Sequence, residues 1–297
     1  MHISFVTYNE KSELTPDDEL LADYLRTKGI SVSPAAWNDD AVDWKQYDAI
    51  VLRSTWDYHK KIDHFNVWLD KLEQLRCNVL NPVAIIKWNQ NKKYLVDLIN
   101  QGKHIPSFVF CAQNNYASLE EILAVTQWEK VVVKPAVSGG SFNTWVTTVS
   151  AAKSAQPEFE SMLAGGDVIV QKFMNEIVGE GELSLMFFNK VFSHAVLKKA
   201  SQGDFRVQSQ FGGTVENVQP GDDIIQYATS LLDDIDEPLL YARVDGVVSD
   251  GQFFLMELEL IEPALFMAYH PNACENFFGA LETLISNMPI RTAGEGA

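Results

Sequence analysis

The segment Phe253-Phe254-Leu255-Met256-Glu257-Leu258-Glu259-Leu260-Ile261-Glu262-Pro263 decides how the chain is read. Glu257 and Glu259 stand two apart in a β-rich run, so a strand projects both to the same face. Two carboxylates on one face repel each other unless a cation lies between them, and oxygen ligands alone favour a hard metal such as Mg²⁺. Upstream, Tyr241 to Val248 and this segment flank Ser249-Asp250-Gly251, and Asp-Gly between two such runs predicts a hairpin. The hairpin supplies a third carboxylate from Asp245 if its register sets that residue opposite. A solvated hairpin face, charges outward and Phe254, Met256, Leu258 and Leu260 inward, accounts for the same residues and is the commoner arrangement.

Working outward, Val131-Val132-Val133-Lys134-Pro135 reads as a strand that runs into Ser138-Gly139-Gly140-Ser141-Phe142. A lysine is thereby held at a strand end beside a loop of small residues. Such a loop wraps phosphate oxygens with backbone N–H groups while the ammonium neutralises charge. A solvated lysine next to an ordinary turn fits the same stretch. The weight comes from the acidic cluster downstream, because a metal-bound polyphosphate needs both signs of charge.

The rest of the chain is α/β in class. His2 to Tyr8, a helix opening at Thr15-Pro16, Ile30 to Ser33 and the apolar run Asp48 to Thr55 alternate as β-α-β, and a helix at Phe65 to Leu75 leads to Val79-Leu80-Asn81-Pro82. Residues 1–85 are therefore expected to form a small parallel lobe. A helix from Gln90 to Asn100, a helix at Ser118 to Thr126 and strands through Lys172 form a second lobe, 86–175. Strands at Leu183 to Phe188, Val191 to Leu197 and Gly213 to Val218, a helix at Asp222 to Leu232, the hairpin and a helix at Ala273 to Ser286 form a third, 176–297.

Composition narrows the function. Across 297 residues, 40 acidic side chains against 23 basic ones leave a net charge of −17, which repels nucleic acid and anionic membrane. Cys77, Cys111 and Cys274 are scattered, so a zinc ribbon, a redox dithiol and a disulfide framework are excluded and a reducing cytoplasm is expected. No apolar run reaches a membrane span and the first residues do not read as a signal peptide. The six histidines form no HExxH pair, no Gly-x-Ser-x-Gly elbow occurs, and the only Gly-Lys, Gly102-Lys103, lacks the upstream glycine of a Walker loop. Gly179-Glu180-Gly181 is followed by Ser184 and strand-like residues, which excludes a dinucleotide fingerprint.

Several of these segments, in order, resemble the ATP-grasp superfamily. NQNKKYL, VVVKP, SGGSF, QKFM, GELSLMFF, DFRVQSQFGG, ARVDG and MELELIEP span roughly residues 85–270 and are most similar to the glutathione synthetase and D-alanine–D-alanine ligase branches. The resemblance implies an ATP-grasp fold with two ATP-clamping lobes behind the N-terminal one. It implies that Lys134 and Lys92, with Lys93 a rival to Lys92, contact ATP phosphates, and that Ser138, Gly139, Gly140 and Ser141 close over them. Backbone groups of Gln171, Lys172 and Met174 would bind adenine, and Glu182 the ribose. Asp245, Glu257 and Glu259 would bind Mg²⁺, or Mn²⁺ in its place, with Glu259 standing where the family has asparagine. Arg206 and Arg243 would face the transferred phosphoryl group and the acyl intermediate, and Gly212 and Gly213 match the glycine pair that follows the arginine in the glutathione synthetase pattern.

The activity so implied is ADP-forming ligation: a small amino-acid-like carboxylate attacks the γ-phosphate, and the acylphosphate is taken by an amine. LRSTWDYH, AWNDDAVDW and WNQNKKYL further resemble a branch that includes an O-ureidoserine cyclase, in which one molecule supplies both acyl group and nucleophile. Arg53, Lys198 and Arg206 are candidates to clamp the substrate carboxylate, with Trp56 beside them. A nucleotide-binding module without chemistry is the alternative from another class. Relatives include dimers and tetramers, so a homo-oligomer is allowed.

Overall fold

The continuous apolar run around Val51 becomes a strand buried along its whole length. Around it form β1 (His2–Thr7), β2 (Ser31–Ala36), β3 (Ala49–Leu52) and β4 (Val79–Leu80), in the order β2-β1-β3-β4 and all parallel. This is a computed structural model, and it describes residues 1–114 and 118–286, the side chain of Ser209 excepted. Thr15 caps the helix Pro16–Thr27, its Oγ1 accepting from the Asp18 N–H at 3.1 Å. The strand expected at Ile30 to Ser33 runs on through Pro34 to Ala36, which β2 tolerates because it is an edge strand.

The second sheet is antiparallel, in the order β5-β8-β6-β7: β5 (Phe108–Cys111), β6 (Lys130–Pro135), β7 (Trp145–Thr148) and β8 (Val168–Lys172). Phe159 and Leu163 of the helix Ala152–Gly165 bury against Val131, Val133, Val168 and Val170. Neither β7 nor this helix was expected from the sequence. Pro157 lies inside the helix, where it withholds a backbone donor and breaks the usual helix pattern.

The third sheet is also antiparallel, ordered β11-β10-β9-β12-β13, from β9 (Glu182–Phe188), β10 (Val191–Lys199), β11 (Thr214–Val218), β12 (Tyr241–Ser249) and β13 (Gln252–Glu259). The expected hairpin is β12 and β13. Its register pairs Arg243 with Glu259 and Asp245 with Glu257, followed by a bulge at Gly246. There a Cβ would fall 2.2 Å from Phe253 Cζ, so only glycine fits. The frayed tail expected at TAGEGA lies outside the described residues.

The helix expected at Gln90 to Asn100 is instead two helices, Val83–Asn89 and Tyr94–Asn100, with Gln90 to Lys93 as the break between them. This segment caps the outer edge of β13. Asn89 donates to Leu258 O at 2.8 Å and accepts from Leu260 N at 2.9 Å, while the Tyr94 hydroxyl lies 3.1 Å from Leu258 O and accepts from its N–H at 2.9 Å. Asn81, at the end of the first lobe, donates to Tyr241 O and Leu260 O, both at 2.9 Å, and accepts from Leu240 N at 2.7 Å. Side chains thus satisfy backbone groups that a neighbouring strand would otherwise take.

Replacing Asn81 by alanine leaves three buried backbone groups without partners. Asn81→Ala is expected to lower the urea unfolding free energy by about 2–4 kcal/mol with an unchanged denaturant slope.

Candidate active site

A cavity of about 810 Å³ lies between the second and third sheets and is closed on one side by the first lobe. Lys134 enters it from the end of β6, Glu257 and Glu259 from β13, and residues 138–144 form one wall. The ammonium groups and the acidic face read from separate stretches of sequence therefore share one cleft. Hairpin pairing decides this arrangement, because Arg243, Asp245, Glu257 and Glu259 are cross-strand neighbours on the same face.

Charges of alternating sign run across that face. Lys198 on β10 lies 2.6 Å from Glu182 and 3.1 Å from Asp245. Arg243 holds Asp245 through Nε and Nη2, both at 2.9 Å, reaches Glu259 through Nη2, and donates from Nη1 to Ala264 O at 3.1 Å. Ser184 adds a fourth donor to Asp245 at 2.6 Å. Burial alone would raise the Asp245 pKa, but Arg243 and Lys198 overcome it and bring it to about 2.

Two further acids of the cavity, Glu259 and Glu262, show the opposite balance. Burial raises Glu259 to about 7 against the pull of Arg243, with Asp245 and Glu257 adding to the rise. Burial raises Glu262 to about 8, reinforced by Glu259 and Glu257. Burial and mutual repulsion thus outweigh the nearby cations, Arg243 for Glu259 and Lys92 for Glu262. Lys134 is lowered to about 8 by burial, with Glu257 opposing and Lys92 adding.

Lys92 is the lysine that reaches the cavity: its ammonium lies 3.1 Å from Glu257 and donates to Ser138 O at 2.9 Å and Ser138 Oγ at 3.2 Å, whereas Lys93 is exposed. Ser138, Gly139, Gly140, Ser141, Gln171, Met174, Glu182, Lys198, Arg206 and Trp56 line the cavity as well. Gln210 donates to Gly140 O at 3.1 Å, tying the glycine loop to the segment that carries Arg206. Arg206 pairs with Asp204 at 2.7 Å and stacks over Phe211 at the mouth.

Four expectations need correction. Arg53 does not line the cavity: it is buried, paired with Asp18 at 2.8 Å and donating to Pro263 O at 3.1 Å, so it fastens the first lobe to the third. Gly212 and Gly213 also lie off the cavity; a Cβ on Gly213 would fall 2.2 Å from Val207 O, which makes its role the fold of the loop. The Lys172 side chain points away, and its N–H is taken by Ser107 O at 2.9 Å, which leaves only its carbonyl for a ligand. Asp245 sits opposite Glu257 as expected, but its two oxygens already accept four donors. Among the described residues no group of three or more His, Cys, Asp or Glu side chains is assembled for a metal. Glu257 and Glu259 do fit a hard cation, since both face the cavity and each has a single cationic partner among the described residues, Lys92 and Arg243 respectively.

The sequence reading missed His59 and Glu262, which line the cavity together with Tyr58, a residue of the strand-end stretch LRSTWDYH that the sequence does point to. Glu262 stood in the deciding segment, beyond the reach of the two-residue alternation. His59 and Tyr58 arrive from the carboxyl end of β3, where open α/β sheets place ligand groups.

Comparison with known proteins gives one consistent relationship. The family described as the N-terminal domain of D-cycloserine synthetase DcsG matches residues 3–81. The cycloserine biosynthesis protein DcsG of Streptomyces lavendulae is 28% identical over 273 residues, 88% of this chain and 91% of that protein. The crystal structure of D-cycloserine synthetase DcsG superposes with a TM-score of 0.87 at 26% identity, covering 96% of this chain and all of the other. D-alanine–D-alanine ligase from Bacillus anthracis, solved in complex with ATP, has the same fold, with a TM-score of 0.67 at 15% identity and 96% of each chain covered. The resemblance read from the sequence is borne out: the chain is an enzyme of the ATP-grasp fold. Among the described residues no helix is long and apolar enough to cross a membrane.

Because Glu262 binds its proton more tightly folded than unfolded, the native state loses stability as pH rises from its unfolded pKa toward 8. His59 and His194, each lowered to about 4 mainly by burial, act the other way, but only below the ordinary histidine pKa. Between pH 6.5 and 8 the metal-free protein is therefore expected to lose melting temperature, and Glu262→Gln to flatten that decline.

Proposed function

We propose that this ATP-grasp enzyme is an ATP- and Mg²⁺-dependent ligase that activates a small amino-acid-like carboxylate as an acylphosphate for attack by an amine. The observation that carries this reading is the convergence of Lys92, Lys134, Glu257 and Glu259 on one cavity. Residues 1–85 would serve as the substrate lobe, 86–175 as the lobe carrying the glycine loop, and 176–297 as the lobe of the acidic hairpin. The low cysteine count is in keeping with action in the cytoplasm.

Lys92 and Lys134 would grip the triphosphate, with N–H groups of Ser138 to Ser141 closing over it. Lys134 stands ready for this role, since an incoming phosphate restores the charge that burial disfavours. Adenine would lie against Met174 and Gln171, hydrogen-bonding the Lys172 carbonyl, and Glu182 would accept from the ribose. Glu257 and Glu259 would hold Mg²⁺, which supplies neutralisation of the developing phosphate charge when bound. Asp245 would instead keep Arg243 aimed into the cleft.

Arg206 has its Nη1 hydrogens uncommitted by the Asp204 pair, and Arg243 retains part of Nη1 beyond Ala264 O. These donors would stabilise the oxyanion formed when the amine adds to the acyl carbon. Lys198, held between Glu182 and Asp245, would contribute through that network, and Trp56 would flank the substrate. Closure of the loop would exclude the water that otherwise hydrolyses an acylphosphate.

A second reading is ring closure within one molecule, and a specific observation favours it: the relatives similar over nearly the whole chain are named for D-cycloserine. Mg-ATP is expected to raise the melting temperature, and an ADP-release screen over amino acids and dipeptides to find a substrate. Glu257→Ala is expected to cut ADP formation by at least about 100-fold. A product lighter than its substrate by one water, formed with no second substrate, selects the cyclase; dependence on an added amine selects the ligase. Stabilisation by nucleotide with no turnover on any substrate leaves a binding module.

A further inference from the structure

His59 lines the cavity with both ring nitrogens buried; among the described residues a hydrogen bond to the Trp56 backbone is the only one that reaches the ring, so at least one nitrogen lacks a partner. Polar atoms in that condition are rare in folded proteins and mark places where a ligand completes the bonding. The ring stands at the start of the first lobe's contact with the glycine loop, its centroid 5.1 Å from that of Phe142. Its Nδ1 is 3.4 Å from the point where a Cβ on Gly139 would sit, and Glu262 Oε1 is 3.8 Å from the same point. An imidazole from one lobe and a carboxylate from another thus converge beneath the glycine loop. Among the described residues the Glu262 carboxylate takes no hydrogen bond or ion pair from a neighbouring side chain.

We propose that His59 and Glu262 form the subsite for the attacking amine: Glu262 binds its ammonium charge and His59 accepts its proton. This rests on the acyl-transfer reading above. The ammonium passes one proton to the imidazole and becomes the nucleophile. Its lone pair forms the C–N bond at the acyl carbon, and the C–O bond to phosphate breaks with its electron pair leaving on the phosphate. The second proton lost by nitrogen goes to that departing phosphate, giving an amide, hydrogen phosphate and a protonated His59 that Glu262 neutralises. Burial, aided by Lys60 and Lys92, lowers His59 to about 4, and burial raises Glu262 to about 8, so both are uncharged near pH 7 in the free protein; the incoming ammonium favours ionised Glu262, and that carboxylate is what lets the ring hold a proton. The pair acts on the second half-reaction, since Lys92 and Lys134 already serve the first.

The test separates the halves in the full-length protein with Mg-ATP. The amino acids that support ADP release by the unaltered enzyme are used as acyl donors, and hydroxylamine is used as a trapping nucleophile that needs no binding site for an ammonium. His59→Gln and Glu262→Gln are each expected to keep ADP release and hydroxamate formation within about threefold while natural product formation falls about 100-fold. ADP released per product formed then rises in both variants, a change that a merely structural role would not produce. Equal loss of hydroxamate and product, as expected if Glu262 is a metal ligand or His59 only packs the loop, overturns the proposal, and so does an unchanged product yield. No ADP release by the unaltered enzyme on any substrate overturns the ligase reading itself and takes this assignment with it.

Discussion

The site depends on a ladder of buried opposite charges laid across four strands. Glu182, Lys198, Asp245, Arg243 and Glu259 each lean on the next, and Asp245 stands at the centre with four donors on its two oxygens. Taking such charges out of water is unfavourable unless every member is paired, so the ladder holds only in one strand register. A slip of one residue would turn the acids toward the opposite face and leave the cations unpaired. The ladder therefore fixes the hairpin more firmly than it stabilises the protein, and it aims Arg243 and Glu259 into the cleft before any ligand arrives.

The rest of the site is assembled against that fixed face. Lys92 bridges Glu257 and Ser138, so a single ammonium ties the acidic hairpin to the glycine loop. The first lobe joins through Arg53, whose pairing with Asp18 and Pro263 O locks its strand end beside the hairpin's exit. The reluctance of buried Glu259 and Glu262 to ionise and the buried ammonium of Lys134 are complementary deficits. A triphosphate with its cation answers both, in keeping with a site whose electrostatics are unfinished without ligand.

Local patterns made much of this legible. Glu257 and Glu259 were found from a period of two, Lys134 from a strand end beside small residues, and the hairpin from Asp-Gly; each follows from neighbours in sequence. Arg53 was misread because its residue type and position at a strand end suit a ligand as well as an internal pair, and only Asp18, 35 residues away, decides between them. The burden on Asp245 was hidden for the same reason, since Lys198 and Ser184 arrive from other strands. His59 closes the strand-end stretch LRSTWDYH, but the partner its ring lacks is something that a sequence does not display. The helix of Ala152–Gly165 was lost to Pro157, a breaker that tertiary packing against the valines of β6 and β8 overrides.

The capped margin of β13 bears on how this protein meets other chains. Exposed strand margins invite a visiting peptide to add itself to a sheet, a common means of recognition and of unwanted self-association. Here Asn89, Tyr94 and Asn81 occupy the backbone groups that such a visitor would need. The margin next to the acidic face is closed to strand addition, so an extended polypeptide has no ladder to climb toward the cleft from that side.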